Sequence, residues 1–260
     1  MKKNALLLTI AVLLILISNL YSQQITIGAK GGLSIPNLTG GSSQNPLNEG
    51  YSSRMGGDGG IYGEYHMTKS FSISLGIEYS SQGGQKKGLQ AFPVPTQFAA
   101  YVSSPYLYAN FKSEAKMDYM LIPVLARYIW KISKKSPFRI YAAFGPFAGF
   151  LLDARQVTTG SSALFMDAQG QQQIAPSQSF DNTTNIKSDL YKFNAGINGF
   201  VGISYRLNKK STVFIEGGGN YGFMSIQKGT ANGKNYTGAG VVTVGYAYTL
   251  PGKHKYTQSR

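Results

Sequence analysis

The chain has 260 residues and a formal net charge of +14, yet only 14% of it is charged, well below the roughly 25% usual for soluble domains. Hydrophobic residues make up 42%, with 18 Tyr, 14 Phe and 32 Gly, which is enough to bury a core and is unlike disordered composition. With no Cys and 2 His, the sequence excludes disulfide scaffolds, thiolate zinc sites, cysteine nucleophiles and a lipid-modified N-terminal cysteine, and leaves little for a histidine metal centre.

The first residues, Met1-Lys2-Lys3-Asn4, are basic and precede an apolar run over residues 5–17. A bilayer-spanning helix needs roughly 20 apolar residues, so residues 1–22 are predicted to be a cleaved secretory signal peptide. Ser18 and Ser22 favour a cut before Gln23, although Leu20 is larger than the residue expected at its position. An uncleaved anchor is the alternative. No later stretch approaches the length of a membrane helix, so a membrane form of the mature chain would have to use strands.

From Gln23 onward the hydrophobic period is two, and it recurs eight times. The first predicted strand covers residues 25–35, with Ile25, Ile27, Ala29 and Leu33 opposed to Thr26, Lys30 and Ser34. In the second, Ile61, Tyr65 and Met67 oppose Glu64 and His66. The third, over 71–80, alternates Phe71, Ile73, Leu75, Ile77 and Tyr79 with Ser72, Ser74, Gly76 and Glu78. Successive strand side chains point to opposite faces, so one face of each strand is apolar and the other is not. Strands over 118–130 and 138–153 are apolar almost throughout, and the charges Arg127 and Arg139 assign their faces. The sixth, over 190–207, sets Tyr191, Phe193, Ile197, Val201, Ile203 and Tyr205 against Lys192, Asn194, Asn198 and Arg206. The seventh opposes Val213, Ile215, Tyr221 and Phe223 to Glu216 and Asn220. The last sets Val242, Val244, Tyr246, Tyr248 and Leu250 against Thr243 and Thr249.

Short connections at 67–70, 131–137 and 208–210 alternate with long polar ones at 36–56, 81–116, 154–187 and 225–238. Eight strands joined by alternating short turns and long loops predict an all-β, eight-stranded antiparallel up-and-down transmembrane β-barrel in the bacterial outer membrane. The barrel would occupy residues 23–250 and be followed by a basic C-terminal tail, 251–260. Short turns would then face the periplasm, where Lys69, Lys131, Lys134, Lys135, Lys209, Lys210, Lys253 and Lys255 gather. A soluble sandwich or lipocalin is the same pattern turned inside out. The low charge and the many Gly and Ser on the polar face favour lipid outside and a narrow interior.

Several segments carry a family resemblance: Gly28-Ala29-Lys30-Gly31-Gly32-Leu33-Ser34, Gly76-Ile77-Glu78-Tyr79-Ser80-Ser81-Gln82-Gly83-Gly84, Asp118-Tyr119-Met120-Leu121-Ile122-Pro123-Val124, Gly145-Pro146-Phe147-Ala148-Gly149-Phe150-Leu151-Leu152 and Gly245-Tyr246-Ala247-Tyr248. Together they resemble the PorT-like outer-membrane β-barrel proteins of the Bacteroidetes, over nearly the whole mature chain. The resemblance implies a barrel with a role accessory to secretion or envelope assembly and is nearly silent about activity. The tail departs from the aromatic end usual in such barrels.

Motifs for chemistry are few. Gly217-Gly218-Gly219-Asn220-Tyr221-Gly222 matches the dinucleotide fingerprint in form, but no helix pattern and no acidic residue follow it, so glycines in a curved strand are expected. His66 would need a nucleophile within reach to act as a general base, and His254 lies in the tail. No catalytic residue, cofactor site or metal site is therefore predicted. The inward charges Lys30, Glu64, Glu78, Arg127, Arg139, Lys192, Arg206 and Glu216 form a predicted lumen charge cluster, because buried charges must pair. The aromatic residues Phe92, Phe98, Tyr101, Tyr106 and Tyr108 on the second long loop are expected either to form a contact surface or, equally, to pack over the barrel mouth. Expected partners are outer-membrane lipids and lipopolysaccharide, the barrel-insertion machinery and a protein or glycan at the loops. Without a basic run, nucleic acid is not expected. The leading functional expectation is a non-enzymatic scaffold or interaction protein; a narrow gated solute pathway and a lipid-modifying barrel enzyme are the alternatives.

Overall fold

A computed structural model of the chain describes residues 24–40, 46–48, 50–133, 136–229 and 234–251. The expected signal peptide, Lys134, Lys135 and the tail beyond Pro251 lie outside the described residues. Eleven strands are described: β1 (Ile25–Thr39), β2 (Gly56–His66), β3 (Phe71–Pro93), β4 (Tyr106–Lys131), β5 (Phe138–Thr159), β6 (Ser161–Phe165), β7 (Gln173–Ser179), β8 (Asn182–Asn185), β9 (Phe193–Arg206), β10 (Ser211–Gly222) and β11 (Tyr236–Thr249). Eight of them close a ring, β1-β2-β3-β4-β5-β9-β10-β11 and back to β1, with every neighbour antiparallel. The closing pair runs from Thr26↔Thr249 to Thr39↔Tyr236, so no edge of the ring is left open for pairing with another chain.

The side chains divide as the period of two requires. Ile61, Leu75, Phe144, Val201 and Val244 stand on the outer wall, each more than half exposed, while Ser72, Ser74, Glu78, Asn198 and Thr243 are buried within. Apolar outside and polar inside is the reverse of a soluble barrel and suits a wall that meets lipid. Aromatic pairs ring both ends of that wall. Tyr128–Trp130 and Phe138–Tyr205 lie at the end with short turns, and Phe150–Phe193 and Tyr221–Phe223 lie at the end with long loops. None of the described helices is long and apolar enough to cross a membrane; the crossing belongs to the strands.

The narrow interior is filled by pairing large with small across neighbouring strands. Tyr62 lies opposite Gly28, Tyr141 opposite Gly202, Phe147 opposite Gly196 and Phe214 opposite Gly245. A Cβ on any of these glycines would strike the facing ring. Gly202→Val is therefore expected to lower stability by about 1–3 kcal/mol through overpacking against Tyr141. A lower urea midpoint of the heat-shifted band on a gel checks this.

Two strands run well past the wall. The segment expected to be a loop over 81–116 is instead the continuation of β3 to Pro93 and the start of β4 at Tyr106. The 154–187 loop likewise holds the end of β5 together with β6, β7 and β8. Past the lipid band the outer face of β4 turns polar, with Asn110, Lys112, Glu114 and Lys116 at its even positions, while the buried residues keep the odd positions along the whole strand. Leu107, Ala109 and Phe111 are apolar and buried, at odd positions, whereas Ile122, Val124, Tyr128 and Trp130 face outward at even ones. With β6 and β7 laid beside β4, Leu107, Ala109, Phe111, Leu164 and Ala175 form a second core outside the barrel proper.

Candidate functional site

The lumen is filled by apolar clusters and a set of charges. Tyr62, Tyr141, Phe214 and Ala247 pack together, and Leu125, Ala143, Phe200, Ala239 and Val241 form another cluster; the charges lie among them, with Glu64 two residues nearer the short turn than Tyr62 on the same strand. At the loop end, Met117, Tyr119, Leu121, Phe147 and Leu151 from the wall meet Leu190 and Ile226 folded in from the loops.

Among those charges, Lys30 Nζ sits 2.9 Å from Glu78 and 3.0 Å from Glu216. Glu216 also accepts hydrogen bonds from Tyr141 Oη at 2.8 Å and Thr243 Oγ1 at 3.2 Å. Arg127 donates to Glu64 at 3.0 Å, lies 4.0 Å from Glu216, and has its guanidinium 4.4 Å from the Tyr141 ring centre. Ser72 donates to the other oxygen of Glu64. Two cations thus bridge three carboxylates, each charge on a different strand, which ties the ring together across its interior.

Three of the expected lumen charges are elsewhere. Arg139, at the start of β5, and Arg206, at the end of β9, lie at the short-turn rim, where Arg206 is exposed. Lys192 precedes β9 and is exposed at the loop end. Strand parity gives the face a residue points to, but its height along the barrel decides whether it reaches the cluster. The sequence reading also missed two buried charges. Arg54 donates to Ser81 Oγ and to the Gln82 carbonyl. Asp58, on β2, is buried with an Oδ1 that has no hydrogen-bond partner. Both stand in Arg54-Met55-Gly56-Gly57-Asp58-Gly59-Gly60, a glycine-rich stretch whose alternation carries too few side chains to read as a strand.

Asp58 raises the count in this set to four carboxylates, with Glu64, Glu78 and Glu216, against the cations Lys30 and Arg127. Asp58→Asn is therefore expected to raise the urea midpoint of the barrel, since it removes an uncompensated charge while keeping the shape. Glu216→Gln, which takes away a partner of Lys30 and Tyr141, is expected to lower it.

His66 lies at the short-turn mouth. Its Nε2 is 2.9 Å from Thr26 Oγ1, which also bonds Thr249 Oγ1 at 2.9 Å, and its Nδ1 is 3.9 Å from Glu64. Thr26 is buried, so among the described residues His66 has no accessible hydroxyl to activate. Residues 217–222 are the end of β10, and no helix follows them among the described residues. Among the described residues no group of three or more His, Asp or Glu side chains is placed to hold a metal ion.

The expected contact aromatics are spread over the outer core. Phe92 and Phe98 are half-buried and pack against it, Phe92 edge-on to Phe111 and Phe180. Tyr106 and Tyr108 are half-buried strand residues of β4. Tyr101 alone projects, 83% exposed, from the β3–β4 tip. Of the two expected arrangements the packed one describes four of the five aromatics, in a platform with one exposed ring, because the segment folds as sheet rather than as loop. At the β6–β7 turn Asp167 accepts the backbone N–H groups of Gln169, Gln171 and Gln172, and these bonds, that of Gln171 foremost, hold its carboxyl below the ordinary value of 3.8. A depressed folded pKa gives stability that is present above 3.8 and lost as pH falls through the lower folded value. Amide exchange at Gln171 and Gln172 is expected to quicken in that acid range, and to do so at neutral pH in Asp167→Asn.

With this geometry in place, sequence comparison matches residues 21–228 to the family described as the outer membrane protein beta-barrel domain. Among solved structures, similarity extends to Neisserial surface protein A, at 12% identity and TM-score 0.37, over 86% of this chain and 96% of that one. It extends also to Ail, the attachment invasion locus protein of Yersinia pestis, at 9% identity and TM-score 0.36, over 88% and 99%. A major outer membrane protein of Thermus thermophilus matches at 12% identity and TM-score 0.41, over 88% and 99%. The search of curated proteins found no match.

Proposed function

The chain belongs to the outer membrane protein β-barrel family and resides in the bacterial outer membrane, and from that premise we propose that it is a non-enzymatic interaction protein. In this reading the barrel is a sealed anchor and the outer platform is the working part. The observation that carries it is the second core, where Leu107, Ala109, Phe111, Leu164 and Ala175 fix the outward continuations of β3 and β4 against the β6–β7 hairpin. Mobile loops bind at the cost of ordering themselves, whereas a packed sheet presents a surface already ordered. Lipid and lipopolysaccharide contact the wall, and a protein or glycan partner meets the platform. An accessory role in secretion or envelope assembly, of the PorT-like kind, fits such a surface.

The filled lumen argues against a solute pathway. Lys30, Arg127 and their carboxylates close the middle, and Met117, Tyr119, Leu121, Phe147 and Leu151 close the loop end. An eight-strand interior is only wide enough for side chains to fill. A lipid-modifying role for His66 is disfavoured by its pairing with the buried Thr26.

A photoreactive residue placed at Tyr101 in intact cells tests the proposal. A discrete cross-linked adduct, lost when Leu164→Asp disrupts the platform, is expected, together with no conductance steps in planar bilayers. Absence of any adduct, combined with regular conductance steps, would point to the pathway instead.

A further inference from the structure

The two ends of the barrel differ in charge. At the loop end carboxylates stand among the cations and pair with them, Glu114 with Lys112 and Lys116, and Asp153 with Arg155. The short-turn end carries Lys69, Lys131, Arg139, Arg206, Lys209 and Lys210, and no acid accompanies them. The turns over 67–70, 131–137 and 207–210 contain no Asp or Glu, and none occurs after Glu216. Glu64, two residues in from the end of β2, is 2% exposed and is held by Arg127 and Ser72. Among the described residues none of the six rim cations has an ion-pair partner. Arg139 is half-buried and the other five are exposed. A rim of one sign projects a field that pairing would have cancelled.

Three of these cations stand on successive strands. Lys131, the last residue of β4, is the register partner of Arg139, the second residue of β5. Arg206 ends β9, and its backbone N–H donates to the Pro137 carbonyl at 3.1 Å. Arg139 and Arg206 are near enough to repel each other. Each of the three follows an outward aromatic of the girdle: Trp130 precedes Lys131, Phe138 precedes Arg139, and Tyr205 precedes Arg206. Such rings mark the depth of the membrane–water interface, and one residue along a strand is a rise of about 3.3 Å. The three charges therefore stand at headgroup height. Their parity turns them to the barrel mouth, and at strand ends side chains of this length reach the headgroup layer around it.

We propose that this rim is a docking surface for phospholipids of net negative charge in the leaflet at the short-turn end, which is the periplasmic leaflet in barrels of this kind. Lipid is the partner because the girdle sets Lys131, Arg139 and Arg206 at the level of the phosphates, where basic residues are drawn to an anionic leaflet. A phosphate between Arg139 and Arg206 replaces their repulsion by attraction, and the guanidinium fork matches its oxygens. The barrel is thus held on the side opposite to the platform.

Trp130 serves as the reporter. The full protein is placed in phosphatidylcholine vesicles in which a fixed fraction of lipid is acyl-brominated phosphatidylglycerol or acyl-brominated phosphatidylcholine. At equal fraction and low salt, quenching is expected to show the anionic lipid enriched beside Trp130 at least about twofold. The excess is expected to fall as salt is raised. It is expected to shrink in Lys131→Gln, to vanish when Arg139→Gln and Arg206→Gln are added, and to stay in Lys192→Gln at the loop end. The heat shift on a gel reports that each variant is folded. Equal quenching by the two lipids, an excess indifferent to salt, an undiminished excess in a folded rim variant, or an equal loss in Lys192→Gln would overturn the assignment.

Discussion

Lys30→Ala is expected to cost the barrel about 3–5 kcal/mol, the loss typical of removing one partner from a buried ion pair. Lys30 holds both Glu78 and Glu216 within 3.0 Å, and without it those carboxylates face each other and Asp58 across a lumen that offers little water. On a gel of refolded protein the compact, heat-shifted band is expected to fall to a small fraction of its wild-type yield. The combination Lys30→Met with Glu78→Gln and Glu216→Gln is expected to recover most of it, because pairs removed together leave no charge behind. Full stability of the single Lys30→Ala variant would mean that the lumen is hydrated enough to carry unpaired carboxylates, and the case for a solute pathway would gain accordingly.

Leu164→Asp is expected to unfold the platform and leave the barrel standing. Leu164 is 2% exposed in the outer core, and burial of an unpaired carboxylate there costs several kcal/mol. The ring hydrogen bonds of the eight barrel strands do not depend on that core. Protease is therefore expected to cut within 94–105 and 160–180 in the variant while the wild type resists, with the heat shift unchanged in both. Loss of the heat shift would show that platform and barrel fold as one cooperative unit.

The residues that were easy to read and those that were not differ in surroundings. Between the aromatic girdles, lipid on one side and a packed polar interior on the other impose strict alternation, and strands such as 71–80 and 193–206 declare both their type and their faces. Outside the lipid band the same strand β4 places Leu107, Ala109 and Phe111 on the inner parity and Tyr106, Tyr108 and Asn110 on the outer. That stretch, with Lys112, Glu114 and Lys116 at its outer positions, has the composition of a loop, although it is sheet. Lys30, Glu64, Glu78, Arg127 and Glu216 meet in one cluster because each stands a few residues in from its strand end, whereas Arg139, Lys192 and Arg206 sit at or beside those ends. Asp58 and Arg54 were hidden by the glycines around them. A cavity lined by Tyr51, Lys86, Leu190 and Ile226 depends on loops that meet only in three dimensions, and no periodicity in the sequence announces it.

The inside-out placement of side chains is tested most directly by fluorescence quenching of Trp130, the one tryptophan in the sequence. Trp130 is half exposed on the outer wall, one residue from the end of β4 and packed edge-on against Tyr128. In vesicles of lipids brominated at defined acyl positions, strong quenching is expected from bromines near the headgroup end, less from those at the chain terminus, and little from aqueous acrylamide. Efficient quenching by acrylamide with none by brominated lipid would place the apolar face in a soluble core and contradict a lipid-facing barrel.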